Sequence, residues 1–392
     1  MARHRSVSVD ATRVVLTLAT VCLHVGQMEA AVGHREAFGA RTADRLVATL
    51  GIGGVTTFFA LSGYFTVSGA CGGTTLAERV GRIARRTARM YPLVLAATAL
   101  ALVSGSFGVP DGVRDWGGVA AWLTLTATLR PDGNRVLAST WSGPLWSTLV
   151  DVHASALLHL APRRTPWALV AVLCALAKAA LLLWDPCTLR LPFDPLLATG
   201  TDVAPYAFGP GYAVLHGRPA VERGSEVAGC EALTWAEQQE RFVFLSYSFT
   251  LSRLTPFAIG AWFASAHAVR PSSARRRVAA SAVLAGAVAS AVVVPPSGAP
   301  LNAGALLVQT LAVDTVLPLA SMTLLTAAPC ARGGEESGLL RVLVPRLPWV
   351  YALHMPVVPL VRPLLLPSLA STLALTAPLA EACFRVHRRC GV

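Results

Sequence analysis

The chain has 392 residues, of which 54% are hydrophobic and only 14% are charged, and its mean hydropathy is +0.56. These values exclude a soluble globular domain and predict an all-α, polytopic membrane protein. The formal net charge of +12 does not indicate a nucleic-acid ligand, because the basic residues cluster between apolar runs. Eight cysteines without a C-x-x-C pair predict neither a zinc site nor a redox motif, and we expect no bound metal or cofactor.

Ten apolar segments follow one another along the chain, and most are long enough to cross a hydrocarbon core of about 30 Å. Their approximate bounds are 13–32, 46–70, 90–108, 145–161, 166–184, 252–269, 278–294, 302–328, 347–365 and 367–382. The first has no A-x-A-like cleavage site behind it, so we interpret it as a retained helix. The less apolar stretch 115–129 predicts an interfacial or re-entrant piece.

Every second linker is rich in arginine, which marks the cytoplasmic side of a membrane protein. These basic positions are Arg3, Arg5, Arg79, Arg82, Arg85, Arg86, Arg89, Arg163, Arg164, Arg270, Arg275, Arg276, Arg277, Arg332, Arg341, Arg385, Arg388 and Arg389. We expect a single domain over residues 1–392, with about ten transmembrane helices and both termini cytoplasmic, in a plasma membrane or an endomembrane. The linker 185–251 then lies on the luminal or extracellular side, where Cys187 and Cys230 either form a disulfide or remain two thiols.

The first apolar segment carries an arginine and a histidine, Arg13 and His24, eleven residues apart. Eleven residues are close to three helical turns, so both side chains leave the same face, roughly 16 Å apart along the axis. An ionisable pair on one face of an apolar helix predicts a functional interior. The alternative is that Arg13 snorkels to the membrane interface while His24 caps the far end.

Five further motifs combine polar residues with small or aromatic ones. They are Phe58-Phe-Ala-Leu-Ser-Gly63, Arg86-Thr-Ala-Arg89-Met-Tyr91-Pro92, Trp146-Ser-Thr-Leu-Val-Asp151, Arg253-Leu-Thr-Pro256 followed by Gly260, and Tyr351-Ala-Leu-His354-Met-Pro356. In this order, and with Asp10 just before the Arg-x10-His pair, they resemble the membrane acyltransferase family 3 superfamily, which includes bacterial O-acetyltransferases. The closest likeness is to its eukaryotic "nose resistant to fluoxetine" branch. Each motif is weak alone, whereas the set in family order is specific.

The resemblance implies an acyltransferase-3-like helix bundle that transfers an acyl group from cytoplasmic acyl-CoA to a hydroxyl of a lipid, sterol or glycan. His24 would be the general base and Asp151 its orienting acid, because the expected topology puts both at comparable depth in the luminal half. The residues implied in donor binding are Arg13, Arg82, Arg86, Arg89 and Tyr91, where arginine suits phosphate by its planar fork of donors. Those implied in acceptor binding are Ser62, Trp146 and His354.

Several of these residues also have simpler interpretations. The arginines at 79–89 would be present for topology alone, Trp146 suits an aromatic belt, and His354 suits a packing histidine. Two further ions within apolar segments, Lys178 and Asp314, either pair with each other or mark a path.

Three positions depart from the family pattern, since Thr56, His153 and Pro348 stand where aspartate, glutamine and tyrosine are usual. The departures are consistent with an altered substrate or a degenerate site. The rival hypothesis is a multi-pass transporter or lipid-handling protein without acyl-transfer chemistry, because ions near the midplane also suit translocation. The sequence has no evident inverted repeat of hydropathy, which favours the enzyme.

Overall fold

The computed structural model describes residues 7–31, 42–69, 75–103, 116–129, 145–162, 164–184, 245, 249–266, 280–281, 303–327, 338–361 and 368–389. Within these ranges the chain is helical and has no strand, which confirms the all-α prediction. The helices are α1 (Val7–Ala31), α2 (Thr42–Ser68), α3 (Leu76–Val103), α4 (Trp116–Leu123), α5 (Leu145–Leu160), α6 (Trp167–Trp184), α7 (Leu254–Ala266), α8 (Ala303–Ala327), α9 (Gly338–Leu343), α10 (Leu347–Val361) and α11 (Ser368–Arg389). Short 3₁₀ turns at Leu251–Arg253 and Val344–Arg346 lead into α7 and α10.

The apolar segments of the sequence reappear as helices wherever the structure describes them. Helices α5 and α6 follow the predicted segments 145–161 and 166–184 to within about one residue. The segment 115–129 forms the short helix α4 and a series of turns. The segment 278–294 and the linker 185–251, with Cys187 and Cys230, lie almost wholly outside the described residues.

The arginine-rich linker before residue 90 is helical, which corrects the prediction that α3 begins near there. Helix α3 starts at Leu76 and runs without interruption through Pro92 to Val103. A capping box starts it: the Thr75 amide donates to Glu78 Oε2 at 3.0 Å, and the Glu78 amide donates to Thr75 Oγ1 at 3.3 Å. This Thr-x-x-Glu pattern is a helix start signal that can be recognised in sequence. The arginines therefore stand on a rigid helix.

Helix α2 is the centre of the bundle and packs closely against α7 through two glycines. A Cβ atom on Gly63 would overlap the carbonyl of Phe257, and one on Gly260 would overlap the carbonyl of Ala60. Small residues at helix crossings allow the backbones to approach closely. Phe59 and Phe257 stack beside this crossing with centroids 4.7 Å apart, within the largest apolar cluster. The crossing fixes the position of Ser62, one residue before Gly63.

Among the described helices, α6 alone is long and apolar enough to span a membrane by length and composition, with a mean hydropathy of 2.2 over Trp167–Trp184. The stretch Leu311–Thr326 of α8 is a shorter apolar helix. Most of the α6 surface is exposed, and its exposed side chains include Leu169, Leu173 and Leu176. An exposed apolar face of this kind suits contact with lipid.

Candidate active site

Two histidines from distant parts of the chain meet between α1 and α10. His24 Nδ1 lies 2.9 Å from His354 Nε2, which is hydrogen-bond distance. The ring planes are within 8° of parallel and the centroids are 5.2 Å apart, so the rings meet by their edges and not by their faces. His354 is completely buried, whereas His24 is partly buried. The second nitrogen of His354, Nδ1, lies 2.7 Å from the carbonyl oxygen of Tyr351.

A second polar cluster joins α2, α3 and α5. Arg86 Nη2 lies 2.7 Å from Asp151 Oδ2 and 2.9 Å from Oδ1, and Nε donates to Oδ2 at 3.2 Å. Ser62 Oγ donates to Asp151 Oδ1 at 2.5 Å and accepts from Arg86 Nη2 at 2.7 Å. Charge-assisted contacts of this forked type are among the strong hydrogen bonds of proteins. The cluster is neutral overall and holds Ser62, Arg86 and Asp151 in one arrangement.

The structure does not bring the predicted pair of His24 and Asp151 together. Among the described contacts, the hydrogen bond of His24 goes to His354, and those of Asp151 go to Ser62 and Arg86. The prediction compared the depth of the two residues along their helices, but contact also depends on the direction in which each helix face points. His24 faces α10, whereas Asp151 faces α2 and α3.

The predicted donor-binding residues have diverse surroundings. Arg13 Nη1 lies 3.4 Å from Oδ1 of the buried Asp10, and its guanidinium lies 5.3 Å from the Phe65 ring centroid. Arg82 donates to the carbonyl of Gly69 at 3.2 Å, just beyond the end of α2. Arg89 is exposed on α3.

Arg79, from the same arginine-rich stretch, and Tyr91 link α3 to neighbouring helices. Arg79 donates to the carbonyls of Leu160 and Ala161 at the end of α5, where unpaired carbonyls attract a cation. The Tyr91 hydroxyl donates to the Leu123 carbonyl at 3.0 Å and links α3 to α4. Arg79 and Arg82 therefore tie α3 to the ends of two other helices.

Trp146 is only 5% exposed, so its interpretation as an aromatic-belt residue at the interface is wrong. Its ring packs edge-on against Phe59 with centroids 5.7 Å apart, and the Arg253 guanidinium lies 5.5 Å from its ring centroid. The next residue, Ser147, contacts the Tyr351 hydroxyl through Oγ at 3.0 Å. This contact connects α5 to the helix that carries His354.

Lys178 and Asp314 form an ion pair, which was one of the two alternatives left open by the sequence. Arg253 joins them as a third ion. Asp314 of α8 binds Lys178 of α6 through Oδ2 and Arg253 through Oδ1. Each of the three side chains is 1% exposed. The triad holds two cations and one anion in the interior. Sequence reasoning missed the place of Arg253, although its position inside the apolar segment 252–269 was a signal.

The three departures from the family pattern have local partners. Thr56 is fully buried, and its hydroxyl donates to the Gly53 carbonyl in its own helix at 2.9 Å. His153 Nδ1 lies 3.0 Å from the Thr250 hydroxyl and 3.3 Å from that of Thr128. Pro348 lies in the first turn of α10, where proline is tolerated.

An apolar groove of about 190 Å³ lies between α1, α2 and α8. Its walls include Leu16, Gly54 and Leu317, with Thr57 and Ser321 as polar members. The Thr57 hydroxyl donates to Ser321 Oγ at 3.2 Å, so these two polar groups satisfy each other. An engineered protein cavity of about 150 Å³ binds benzene, so a groove of this volume has room for a short hydrocarbon.

The family model described as "Acyltransferase domain" matches residues 6–380. The matched region includes His24, His354 and the cluster of Ser62, Arg86 and Asp151. No curated protein and no solved structure matches the chain.

Proposed function

The chain belongs to acyltransferase family 3, and we propose on this premise that it is an integral-membrane O-acyltransferase that uses acyl-CoA. The family makes the protein an acyltransferase, and members of the family are generally membrane-bound. The proposal adds the donor and the acceptor, a hydroxyl of a lipid, sterol or glycan. The observation that carries it is the partly buried imidazole of His24 on α1, which a second ring holds by hydrogen bonding.

In the proposed reaction the His24 imidazole takes the proton of the acceptor hydroxyl as its oxygen attacks the thioester carbonyl. The new ester C–O bond forms and the C–S bond breaks. The proton on the imidazolium then passes to the leaving coenzyme A thiolate, so His24 returns to its starting state. General-base help of this kind is typically worth about 10²–10⁴-fold in rate.

Donor binding is proposed for positive side chains on α1 and α3. Arg13 is 31% exposed, so its guanidinium can still reach a ligand while it contacts Asp10. Arg89 lies exposed on the rigid first half of α3, and Arg86 of the same helix is also 31% exposed. Guanidinium groups bind phosphate by two parallel hydrogen bonds, which suits the nucleotide end of coenzyme A. Tyr91 and Arg82 would contribute through the same helix.

A lipidic acceptor or a longer acyl chain is supported by the apolar groove between α1, α2 and α8. The groove shares α1 with His24, Arg13 and Asp10.

We also propose the ten-helix topology with cytoplasmic termini, and a place in the eukaryotic "nose resistant to fluoxetine" branch on the motifs at Arg253 and Tyr351. The family resemblance also puts Ser62, Trp146 and His354 on the acceptor side; the proposal keeps this role for Ser62 and Trp146, since His354 is completely buried and both of its ring nitrogens have partners.

The decisive experiment follows thioester loss by the purified protein in lipid nanodiscs with labelled acetyl-CoA or palmitoyl-CoA and a membrane lipid extract. Release of free coenzyme A together with a labelled ester, both lost in His24→Ala, would support the proposal. His387→Ala is the matched control, because it also removes a histidine that contacts a neighbouring ring, that of Trp349. Thioester loss that is equal in wild type and His24→Ala would contradict it.

The transport alternative is favoured by one observation, the ion triad of Lys178, Arg253 and Asp314 deep in the interior. Buried ions in membrane helices often mark a path for substrates or protons. Solute movement across proteoliposomes without any thioester loss would support that alternative over acyl transfer.

A further inference from the structure

We infer that His354 is a positioning residue that fixes the tautomer of His24, so that His24 carries its proton on Nδ1 and presents a bare Nε2 to the acceptor. The inference rests on the proposed function, because it gives His24 the part of general base. It assigns to His354 the orienting part that the sequence had assigned to Asp151.

The assignment starts from the main chain. The Tyr351 carbonyl oxygen can only accept a hydrogen bond, and it lies 2.7 Å from His354 Nδ1. His354 Nδ1 must therefore carry a proton. In a neutral imidazole only one nitrogen is protonated, so the other nitrogen of His354, Nε2, has a lone pair and accepts.

The contact between the rings then has one direction. His24 Nδ1 and His354 Nε2 are 2.9 Å apart, and a hydrogen bond at that distance needs one proton between them. Because His354 Nε2 accepts, His24 Nδ1 donates. A neutral His24 with its proton on Nδ1 has its lone pair on Nε2, which is the nitrogen that can take the proton of a hydroxyl.

The opposite direction requires an additional charge. If His354 were protonated on both nitrogens, its Nε2 would donate to His24 Nδ1 and His24 would carry its own proton on Nε2. His354 is completely buried, and none of the hydrogen bonds described for either ring is to a carboxylate. Burying an unpaired charge costs far more than burying a hydrogen-bonded neutral ring. The neutral pair is therefore the resting state.

The same contact helps in the reaction. When His24 Nε2 takes the acceptor proton, the imidazolium keeps its Nδ1 hydrogen bond to a lone pair of His354. The charge is then shared with a neutral ring that the main chain holds in place, in the way a second group orients a catalytic histidine elsewhere. If His24 held the other tautomer, Nε2 would carry a proton and could not act as the base.

Nitrogen-15 NMR of histidine-labelled protein in nanodiscs tests the assignment without any substrate. The spectrum of His24→Ala identifies the His24 signals by their loss. We expect a protonated Nδ1 and an unprotonated Nε2 for His24 in the wild type. In His354→Leu, which removes the acceptor, a population protonated on Nε2 should appear. A wild-type His24 with its proton on Nε2 would overturn the inference.

Turnover supplies the second readout. His354→Gln retains an acceptor oxygen for His24 and a donor for the Tyr351 carbonyl, so it should keep most of the rate. His354→Leu should lose about 10–10²-fold in kcat, a loss of the size seen when the hydrogen-bond partner of a metal-bound histidine is removed. Equal losses in the two variants, at equal thermal stability in detergent, would overturn the inference by giving His354 a packing role. A correct tautomer without any thioester turnover would contradict the proposed function and leave the assignment of the tautomer intact.

Discussion

Arg86 and Asp151 form a forked ion pair in which Arg86 Nη2 lies 2.7 Å, and Nε 3.2 Å, from Asp151 Oδ2. The pair joins α3 to α5, and Ser62 extends it to α2. The carboxylate that the sequence placed beside His24 is therefore already paired with an arginine. We therefore expect Asp151 to stabilise the packing of these three helices.

A double-mutant cycle measures this coupling. Arg86→Gln leaves Asp151 charged in a site where its side chain is 13% exposed, and Asp151→Asn leaves Arg86 without its anion. Each single change should lower the free energy of unfolding by about 1–3 kcal/mol, less than for a completely buried pair because water still reaches both groups. The double variant should lose less than the sum.

Thermal unfolding in detergent is the measurement for the cycle. Arg89→Gln, an exposed arginine one turn further along the same helix, should change the melting temperature little. Strictly additive losses would mean that the ion pair contributes nothing of its own.

The apolar segments predicted where the described helices lie, because a long apolar run with little interruption favours a helix. Bounds were accurate at α5 and α6, and the pairing of Lys178 with Asp314 followed from the cost of leaving either ion alone. The start of α3 was missed because the charges of its arginines outweighed the capping signal at Thr75. Partners across helices could not be derived from depth alone, as His24 shows.

A topology prediction follows from the alternating arginine-rich linkers. A cysteine at Glu78, at the start of α3, should be cytoplasmic, and one at Trp184, the 88% exposed end of α6, should face the opposite side. In a background whose native cysteines are serine, a membrane-impermeant maleimide added to intact cells should label Trp184→Cys. Glu78→Cys should react only after permeabilisation. The reverse pattern would invert the orientation that the arginines predict.

Substitutions in the ion triad of Lys178, Arg253 and Asp314 should destabilise the protein to different extents. Asp314→Asn leaves two cations in the interior, and removing one partner from a buried ion pair typically costs about 3–5 kcal/mol. Lys178→Met leaves the neutral pair of Arg253 and Asp314 and replaces an ammonium by an apolar chain of similar length. We expect it to be nearly neutral, since apolar replacement of buried ions is often tolerated.

Yield of monodisperse protein and melting temperature in detergent distinguish the two triad variants. Adding Lys178→Met to Asp314→Asn should recover part of the loss, because only one cation then remains. A Lys178→Met protein as unstable as Asp314→Asn would show that charge balance does not govern the triad.

The glycine crossing between α2 and α7 predicts a defect that spreads to the polar cluster of Ser62, Arg86 and Asp151. Gly63→Ala places a methyl group against the Phe257 carbonyl, which is main chain and cannot rotate away. Overpacking of this kind costs about 1–3 kcal/mol, and it should also displace Ser62 from Asp151. Gly81→Ala on α3 is the matched control, because its new Cβ would meet only the end of Arg85 at 3.5 Å.

Gly81→Ala should raise the free energy of unfolding by about 0.5–1 kcal/mol, the usual preference of a helix for alanine over glycine. Thermal unfolding in detergent reports both effects. Gly63→Ala with wild-type stability would show that α2 and α7 can separate at little cost, and the tight crossing would then not determine where Ser62 lies.

Arg13 should act on donor affinity and not on the chemical step. Its guanidinium is partly exposed while Asp10 and the Phe65 ring hold it in place, so it can bind a phosphate without rearranging α1. Arg13→Ala should raise the KM for acyl-CoA about 10–100-fold with little change in kcat, as the loss of a charge-assisted hydrogen bond worth about 1.5–3 kcal/mol implies. Arg13→Lys should recover only part of the affinity, since a point charge replaces a fork of donors. Phe65→Leu, which removes the ring and leaves the charge, is the milder control. An unchanged KM in Arg13→Ala would take Arg13 out of the donor site and make its contact with Asp10 purely structural.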